Sequence, residues 1–266
     1  MYKRQVDACT AAGVIVCNQS GFNKEAVAEH TLGLILSLAK KIGLADKVLR
    51  REGVRDRFRY MGNDIRGKTV GIVGIGQIGT RTAELCRVLF GMTVLAYDPY
   101  LTAEQVRERG GTKVEMDELF RRSDFVSLHC PRNTETMGMI GRAQFSLMKP
   151  TAFFISTARG GVHREDDLAE VLRDGRIAGA GLDVFLQEPP LPDHPLLAFD
   201  TVVATPHTAG MTEESLYDMA VATAEQWITI FEGGVPPRLV NPEAWPRYSE
   251  RFESLLGFAP APLPGA

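Results

Sequence analysis

The stretch from Lys68 to Asp98, KTVGIVGIGQIGTRTAELCRVLFGMTVLAYD, constrains this chain more than any other. Thr69–Val73 is a short, apolar, β-branched run of the kind that forms a strand buried on both faces. The turn Gly74-Ile75-Gly76-Gln77-Ile78-Gly79 follows at once, and Ile78, Leu85, Val88 and Leu89 then recur at helical spacing. A second apolar strand, Thr93–Tyr97, ends at Asp98. Strand, glycine turn, helix and second strand closed by an acid make half of a dinucleotide-binding unit.

Each residue type has a physical reason. Gly74 lets the chain turn sharply out of the strand. Gly76 has no side chain to hold a pyrophosphate away from the amides at the helix N-terminus, where the helix dipole favours an anion. Gly79 allows helix and strand to pack closely, and a carboxylate at Asp98 is placed to accept hydrogen bonds from an adenosine ribose. The same carboxylate repels a 2′-phosphate, so the expected cofactor is NAD rather than NADP.

The chain's 266 residues can build one large or two modest domains. Lys and Arg number 30 against 33 Asp and Glu, so no basic field points to nucleic acid. Cys9, Cys17, Cys86 and Cys130 show neither CxxC spacing nor histidines at metal-ligand intervals, which predicts reduced thiols, no metal site and a cytoplasmic setting. The longest apolar stretch, Thr31 to Ala39, is too short to span a bilayer.

Along the chain, a polar Met1–Gln5 leads into a helix end, a turn at Gly13 and a strand at Val14 to Cys17. Such a strand reads as the last of a preceding α/β sheet. Residues 1–22 are therefore expected to be the remnant of a further domain that lacks its N-terminal portion, with Met1–Gln5 arising from sequence assembly. Residues 23–235 are expected to form the nucleotide-binding domain. The proline-rich 236–266 is expected to be a surface tail with disordered last residues.

Asn23 is placed to cap one long helix from Lys24 to about Arg50. Its first half is apolar on nearly every side and so predicts burial between layers or at a subunit interface. His30 within it reads as a packed, hydrogen-bonded histidine. Arg50, Arg51, Arg55, Arg57 and Arg59 read as a solvated arm. Beyond Asp98, a capping box at Thr102 opens a short helix, and helices are expected at Met116–Arg122, Arg142–Leu147, Glu165–Arg173 and from a Thr212 cap to Phe231. Strands are expected at Phe125–Leu128, Ala152–Ser156, Ile177–Leu182 and Val202–Ala204. This alternation implies a doubly wound, parallel α/β sheet.

In open α/β sheets ligands bind beyond the carboxyl ends of the strands. That rule selects His129-Cys130-Pro131, Ser156 to Gly161, Asp183-Val184-Phe185 with Glu188-Pro189, and Thr205 to Gly210. These loops bring one arginine, two acids and two histidines to one rim. His129 and His207 both follow strands, and spacing alone leaves either as a proton carrier. His163 and His194 read as surface or capping residues, and Cys130 as a packed thiol.

The segments VAEHT, GIVGIGQIG, YDP, LHCP, STARGG, LDVF with EPP, and TPHTAG resemble, in the same order, those of the D-isomer-specific 2-hydroxyacid dehydrogenases. The likeness runs from residue 14 to about 240. It implies a Rossmann-like NAD-binding domain beside part of a flavodoxin-like substrate domain, hydride transfer between NAD(H) and a 2-hydroxy acid or 2-oxo acid, and a homodimer formed through the Lys24 to Arg50 helix. Arg159 matches the arginine that binds the substrate carboxylate, His207 the acid/base, and Glu188 the carboxylate that orients it. Asp183 matches the acid near the nicotinamide carboxamide, and Asp98 the ribose acid. The implied cofactor contacts are Gly74, Gly76, Gln77, Ile78, Gly79, Asp98, His129, Cys130, Pro131, Thr157, Ala158, Arg159, Asp183, His207, Ala209 and Gly210.

These residue types suit the chemistry. Oxidising a 2-hydroxy acid removes a hydride from carbon and a proton from oxygen, so a base is needed within reach of the hydroxyl. Histidine serves in both directions near neutrality, and an adjacent carboxylate fixes its tautomer. Arginine offers a planar fork to a carboxylate. The expected departure is the missing front of the substrate domain, which predicts that the chain binds NADH but turns over poorly. Two other readings stand beside the dehydrogenase: an NAD(H)-sensing module like the corepressors of this fold, and a formate dehydrogenase, which Glu188 disfavours because glutamine is expected there.

Overall fold

The computed structural model describes residues 2–19, 21–51, 53 and 56–264. Met1, Ser20, Glu52, Val54, Arg55, Gly265 and Ala266 lie outside them, and with them parts of the expected assembly segment, basic arm and disordered end. The elements, in chain order, are α1 (Tyr2–Ala11), α2 (Lys24–Ala39), α3 (Ile42–Arg51), β1 (Thr69–Val73), α4 (Gln77–Phe90), β2 (Thr93–Tyr97), α5 (Ala103–Glu108) and β3 (Thr112–Lys113). They continue with α6 (Met116–Arg122), β4 (Phe125–Leu128), α7 (Arg142–Phe145), β5 (Phe153–Ser156), α8 (Glu165–Arg173), β6 (Gly179–Leu182), β7 (Val202–Ala204), α9 (Glu213–Phe231) and α10 (Trp245–Leu256).

The chain divides into two compact units, Lys24–Met211 and Met1–Asn23 with Thr212–Ala266. The division differs from the expected one: residues 212–235 group with the first 23 rather than with the nucleotide-binding unit.

Within Lys24–Met211 the described strands form one seven-stranded sheet in the order β3-β2-β1-β4-β5-β6-β7, and every neighbouring pair is parallel. Side chains alternate across it. Val70, Ile72, Phe125, Phe153 and Ile155 join one buried cluster with Leu34, Ile35 and Leu38 of α2 and Ala83 and Cys86 of α4. Val73, Val126, Leu128 and Phe154 join another with Leu119 and Phe120 of α6, Phe145 of α7 and Leu168 of α8. Both faces are thus covered, which is why the strands read as apolar runs.

Helix α2 packs against α4, β5, β6 and β7, so its all-round apolarity is met inside its own unit. The single helix expected to Arg50 is two. Lys41 takes a left-handed conformation at φ 55°, and Asn63 N–H donates to the Ala39 carbonyl at 2.8 Å where a continuing helix would have placed its own bond. Helix α3, which follows the break, has no buried residue.

The other unit corrects two expectations. Val14–Cys17 is not a strand; only Cys17 forms an isolated antiparallel bridge, to Leu239. Asn241, fully buried, holds that segment instead: its side-chain carbonyl accepts the Val16 N–H at 2.7 Å, and its amide donates to Thr10 Oγ1 at 2.9 Å and the Val14 carbonyl at 3.0 Å. The proline-rich C-terminal stretch contains α10, with a proline in its first turn, where the missing N–H costs nothing.

Candidate active site

The strand order reverses direction between β1 and β4, the place where an open α/β sheet leaves a crevice beyond its carboxyl ends. Both turns that leave these strands are close-fitting there. Gly74 has φ 88°, and a Cβ on it would lie 2.9 Å from the Cys130 amide nitrogen. At Gly79 a Cβ would come within 2.2 Å of the Gly74 carbonyl oxygen, so the helix seats directly on the turn. At Gly76 the same test meets nothing within 4 Å. Gly76 is also the N-cap of α4 and contributes no side-chain capping bond, so the first amides, those of Gln77, Ile78 and Gly79, are left for a ligand.

Asp98 stands at the end of β2, half-buried, with one oxygen accepting the Tyr100 N–H at 3.1 Å. An open glycine, unsatisfied helix amides and a carboxylate one strand away fit the pyrophosphate and ribose of a dinucleotide.

Three neighbouring strands supply the rest. After β5, Thr157 and Ala158 are buried and Arg159 is exposed, its guanidinium donating to the Ala158 carbonyl at 2.6 Å. Gly160 follows, and a Cβ there would overlap the Phe185 carbonyl oxygen at 1.7 Å; this brings the Arg159 loop against the loop after β6.

In that second loop Glu188 accepts the Phe185 N–H on one oxygen at 3.1 Å, and its other oxygen lies 2.7 Å from His207 Nδ1. Partial burial would raise the Glu188 carboxyl, but its bonds to His207 and the Phe185 amide, with the positive charges of His207 and Arg159, hold it below the ordinary value. Asp183, Phe185, Glu188, Pro189, Pro190, Pro206 and His207 line a cleft of about 300 Å³. A larger apolar cavity, about 540 Å³, lies in the other unit among Trp227, Phe231 and Phe252 and lacks any such set of acids and bases.

His207 itself has φ 57°, unusual for a side chain of its size. Asp183 holds it there. The Asp183 carbonyl accepts the His207 N–H at 2.8 Å, and its carboxylate accepts Thr208 N–H at 2.9 Å and Ala209 N–H at 3.0 Å. Gly210 completes this turn.

The two rival histidines sit in different surroundings. His129 bonds through Nε2 to Ser127 at 2.9 Å, and burial depresses it to about 4, which leaves it neutral and, among the described residues, without an acid partner. His207 has both a carboxylate and an open cleft. Cys130 is packed as expected, its thiol pushed up to about 11 by burial. His194 caps a turn through Leu196 N–H and bonds Glu165 at 3.1 Å. His163 departs from the surface or capping position expected of it: it is 2% exposed, edge-on to Phe154, and bridged through its backbone to Ile140. Thr205, selected only as part of its loop and given no role of its own, donates its hydroxyl to Asp183 at 2.6 Å and meets His30 Nε2 at 2.9 Å. The hydroxyl pattern of TPHT was its only signal.

Residues 32–209 match the family model described as D-isomer specific 2-hydroxyacid dehydrogenase, NAD binding domain. Among curated relatives, the D-3-phosphoglycerate dehydrogenase of Archaeoglobus fulgidus is 40% identical over 228 residues, covering 86% of this chain and 43% of the relative. The glyoxylate reductase of Aeropyrum pernix is 40% identical over 244 residues, 90% of this chain and 72% of the relative. The chain therefore spans less than half the length of the first and under three quarters of the second. A solved D-lactate dehydrogenase from Aquifex aeolicus, complexed with NAD and lactic acid, superposes with a TM-score of 0.79 at 31% identity over 88% of this chain and 74% of that one. With its parallel sheet, its open glycine turn and these matches, the chain belongs to the D-isomer-specific 2-hydroxyacid dehydrogenase family and carries that family's NAD-binding domain.

Proposed function

We propose that this chain carries the proton-transfer and carboxylate-binding groups for interconverting a D-2-hydroxy acid and its 2-oxo acid with NAD(H). The observation that carries the reading is the 2.7 Å approach of His207 Nδ1 to Glu188, on the rim that also bears Arg159. The bound nicotinamide supplies the hydride donor or acceptor. Gln77, Ile78 and Gly79 would hold the pyrophosphate through their amides, and Asp98 would take the ribose hydroxyls and disfavour a 2′-phosphate.

Glu188 accepts the Nδ1 proton, so His207 presents Nε2 to the cleft. In reduction that nitrogen donates its proton to the carbonyl oxygen; in oxidation it removes the hydroxyl proton. Arg159 leaves its contact with the Ala158 carbonyl to grip the substrate carboxylate, orienting the reacting carbon and polarising its oxygen. Asp183 would be the acid nearest the nicotinamide carboxamide, and the His129-Cys130-Pro131 turn with Thr157, Ala158, Ala209 and Gly210 would line the cofactor crevice. His207 is the acid/base because it alone of the rival pair has a charge partner.

A second copy of the chain is proposed as partner. Helix α3 exposes Ile42 and Leu49, and the turn after it Phe58 and Met61, an apolar surface that a homodimer would cover. Helix α2 is already buried within its own unit, so the contact is assigned to α3 and the following turn. Among the described residues no helix is long and apolar enough to cross a membrane, and no cluster of His, Cys, Asp and Glu could hold a metal. NADH oxidation with glyoxylate, hydroxypyruvate, pyruvate and phosphohydroxypyruvate, using the complete gene, tests the reading. Reduction of at least one, lost in His207→Ala, supports it; NADH binding with no oxo acid reduced would favour a nucleotide-sensing role instead.

A further inference from the structure

We infer that Thr205 and His30 are positioning residues that set the orientation of the Asp183 carboxylate, and through it the turn that carries His207. The inference rests on the acid/base reading of His207.

The Asp183 carboxylate is 1% exposed and acts as a double clamp: one oxygen takes the Thr208 N–H at 2.9 Å, the other the Ala209 N–H at 3.0 Å. Both amides follow immediately on His207, whose left-handed backbone has no glycine to relieve it. A carboxylate can serve two consecutive amides only if its plane is fixed about the Cβ–Cγ bond. Thr205 fixes it, because its hydroxyl reaches the oxygen shared with Thr208 at 2.6 Å.

A hydroxyl has a single proton. An ionised carboxylate only accepts, so that proton goes to Asp183, and Thr205 Oγ1 is then an acceptor toward His30 Nε2 at 2.9 Å. His30 therefore carries its hydrogen on Nε2, which also lies 3.7 Å from the same Asp183 oxygen. The result is a directed chain, His30 to Thr205 to Asp183 to the turn amides, in which each bond polarises the next. Its origin is firm: His30 sits in the middle of α2, which packs on β5, β6 and β7. His30 is far from the glycine turn in sequence and outside every motif assigned to proton transfer, so nothing in the acid/base assignment itself gives it this task.

The test uses the protein expressed from the complete gene, with paired substitutions. In Thr205→Val, hydrogen exchange of the Thr208 and Ala209 amides is expected to accelerate about tenfold, the loss of roughly one hydrogen bond. Reduction of the best oxo acid should lose about tenfold in kcat with the NADH dissociation constant changed far less. Thr205→Ser keeps the hydroxyl and should restore both. His30→Leu should move both readouts the same way by a smaller factor, and His30→Gln, which retains an N–H donor, should recover them. Unchanged amide exchange in Thr205→Val, or a serine variant no better than valine, overturns the inference. His207→Ala is measured alongside: if it keeps its rate, the acid/base reading fails, while the exchange data still decide whether Thr205 and His30 hold the turn.

Discussion

His207 Nδ1 and Glu188 Oε2 lie 2.7 Å apart although they leave different strands, and the second Glu188 oxygen is held by the Phe185 amide. The carboxylate is thus pinned on one side and free to orient an imidazole on the other. Glu188→Gln can keep the hydrogen bond but not the carboxylate charge beside the imidazole. The expected outcome is a fall in kcat for oxo acid reduction of about tenfold or more with the NADH dissociation constant nearly unchanged; steady-state kinetics and NADH titration check it. His207→Ala should lose about 10²-fold or more while NADH binding is nearly unchanged.

Glu188 also ties stability to pH. Its folded value is depressed, so its contribution is complete above the ordinary carboxylate range and is lost as pH falls through the folded value. Asp124 behaves alike: burial would raise it, but Lys149, 2.8 Å away, and the Thr69 N–H at 2.9 Å hold it down. Asp124→Asn should flatten the acid limb of a denaturation-versus-pH curve below about pH 4.

His163 has the opposite origin and the same direction. Burial depresses it to about 4. Between the unfolded value of about 6.5 and the folded one, the unfolded state binds more protons, so stability falls as pH drops across that window by about 3 kcal/mol. His163→Phe should remove that slope, and urea titrations at successive pH values measure it.

Gly160→Ala would put a methyl group 1.7 Å from the Phe185 carbonyl oxygen. Backbone cannot swing aside as a side chain does, so the loop after β6 must shift and Glu188 with it. A loss of about 3 kcal/mol in chemical denaturation, accompanied by lost turnover, is expected.

Asp98→Ala removes the charge that would face a 2′-phosphate. The ratio of NADH to NADPH affinities should fall by about tenfold, read from fluorescence titrations with each nucleotide.

The sheet was legible because buried parallel strands are written as apolar runs between helical periods, and the glycine turn because each of its glycines answers a separate steric demand. Less visible features depended on contacts distant in sequence. Lys41 breaks an otherwise continuous helical pattern, and its reason, the return of Asn63 to the Ala39 carbonyl, lies beyond the helix. In α10 the spacing of Trp245, Tyr248 and Phe252 is helical, but the surrounding prolines suggest an irregular tail. The burial of His163 has no local sign, since it follows from the Ile140 bridge and the Phe154 ring. At the site, residue types and motifs selected Arg159, Glu188 and His207, whereas the bonds from His30 through Thr205 required the fold.

Strands β5, β6 and β7 lie side by side, and the loops leaving them bear Arg159, Asp183 with Glu188, and His207 in turn. Because these groups sit on three adjacent staves of one sheet, surrounding parts can be exchanged without respacing them. Under the proposed function, a lineage built on this arrangement could change which acid it accepts while leaving its proton carrier undisturbed.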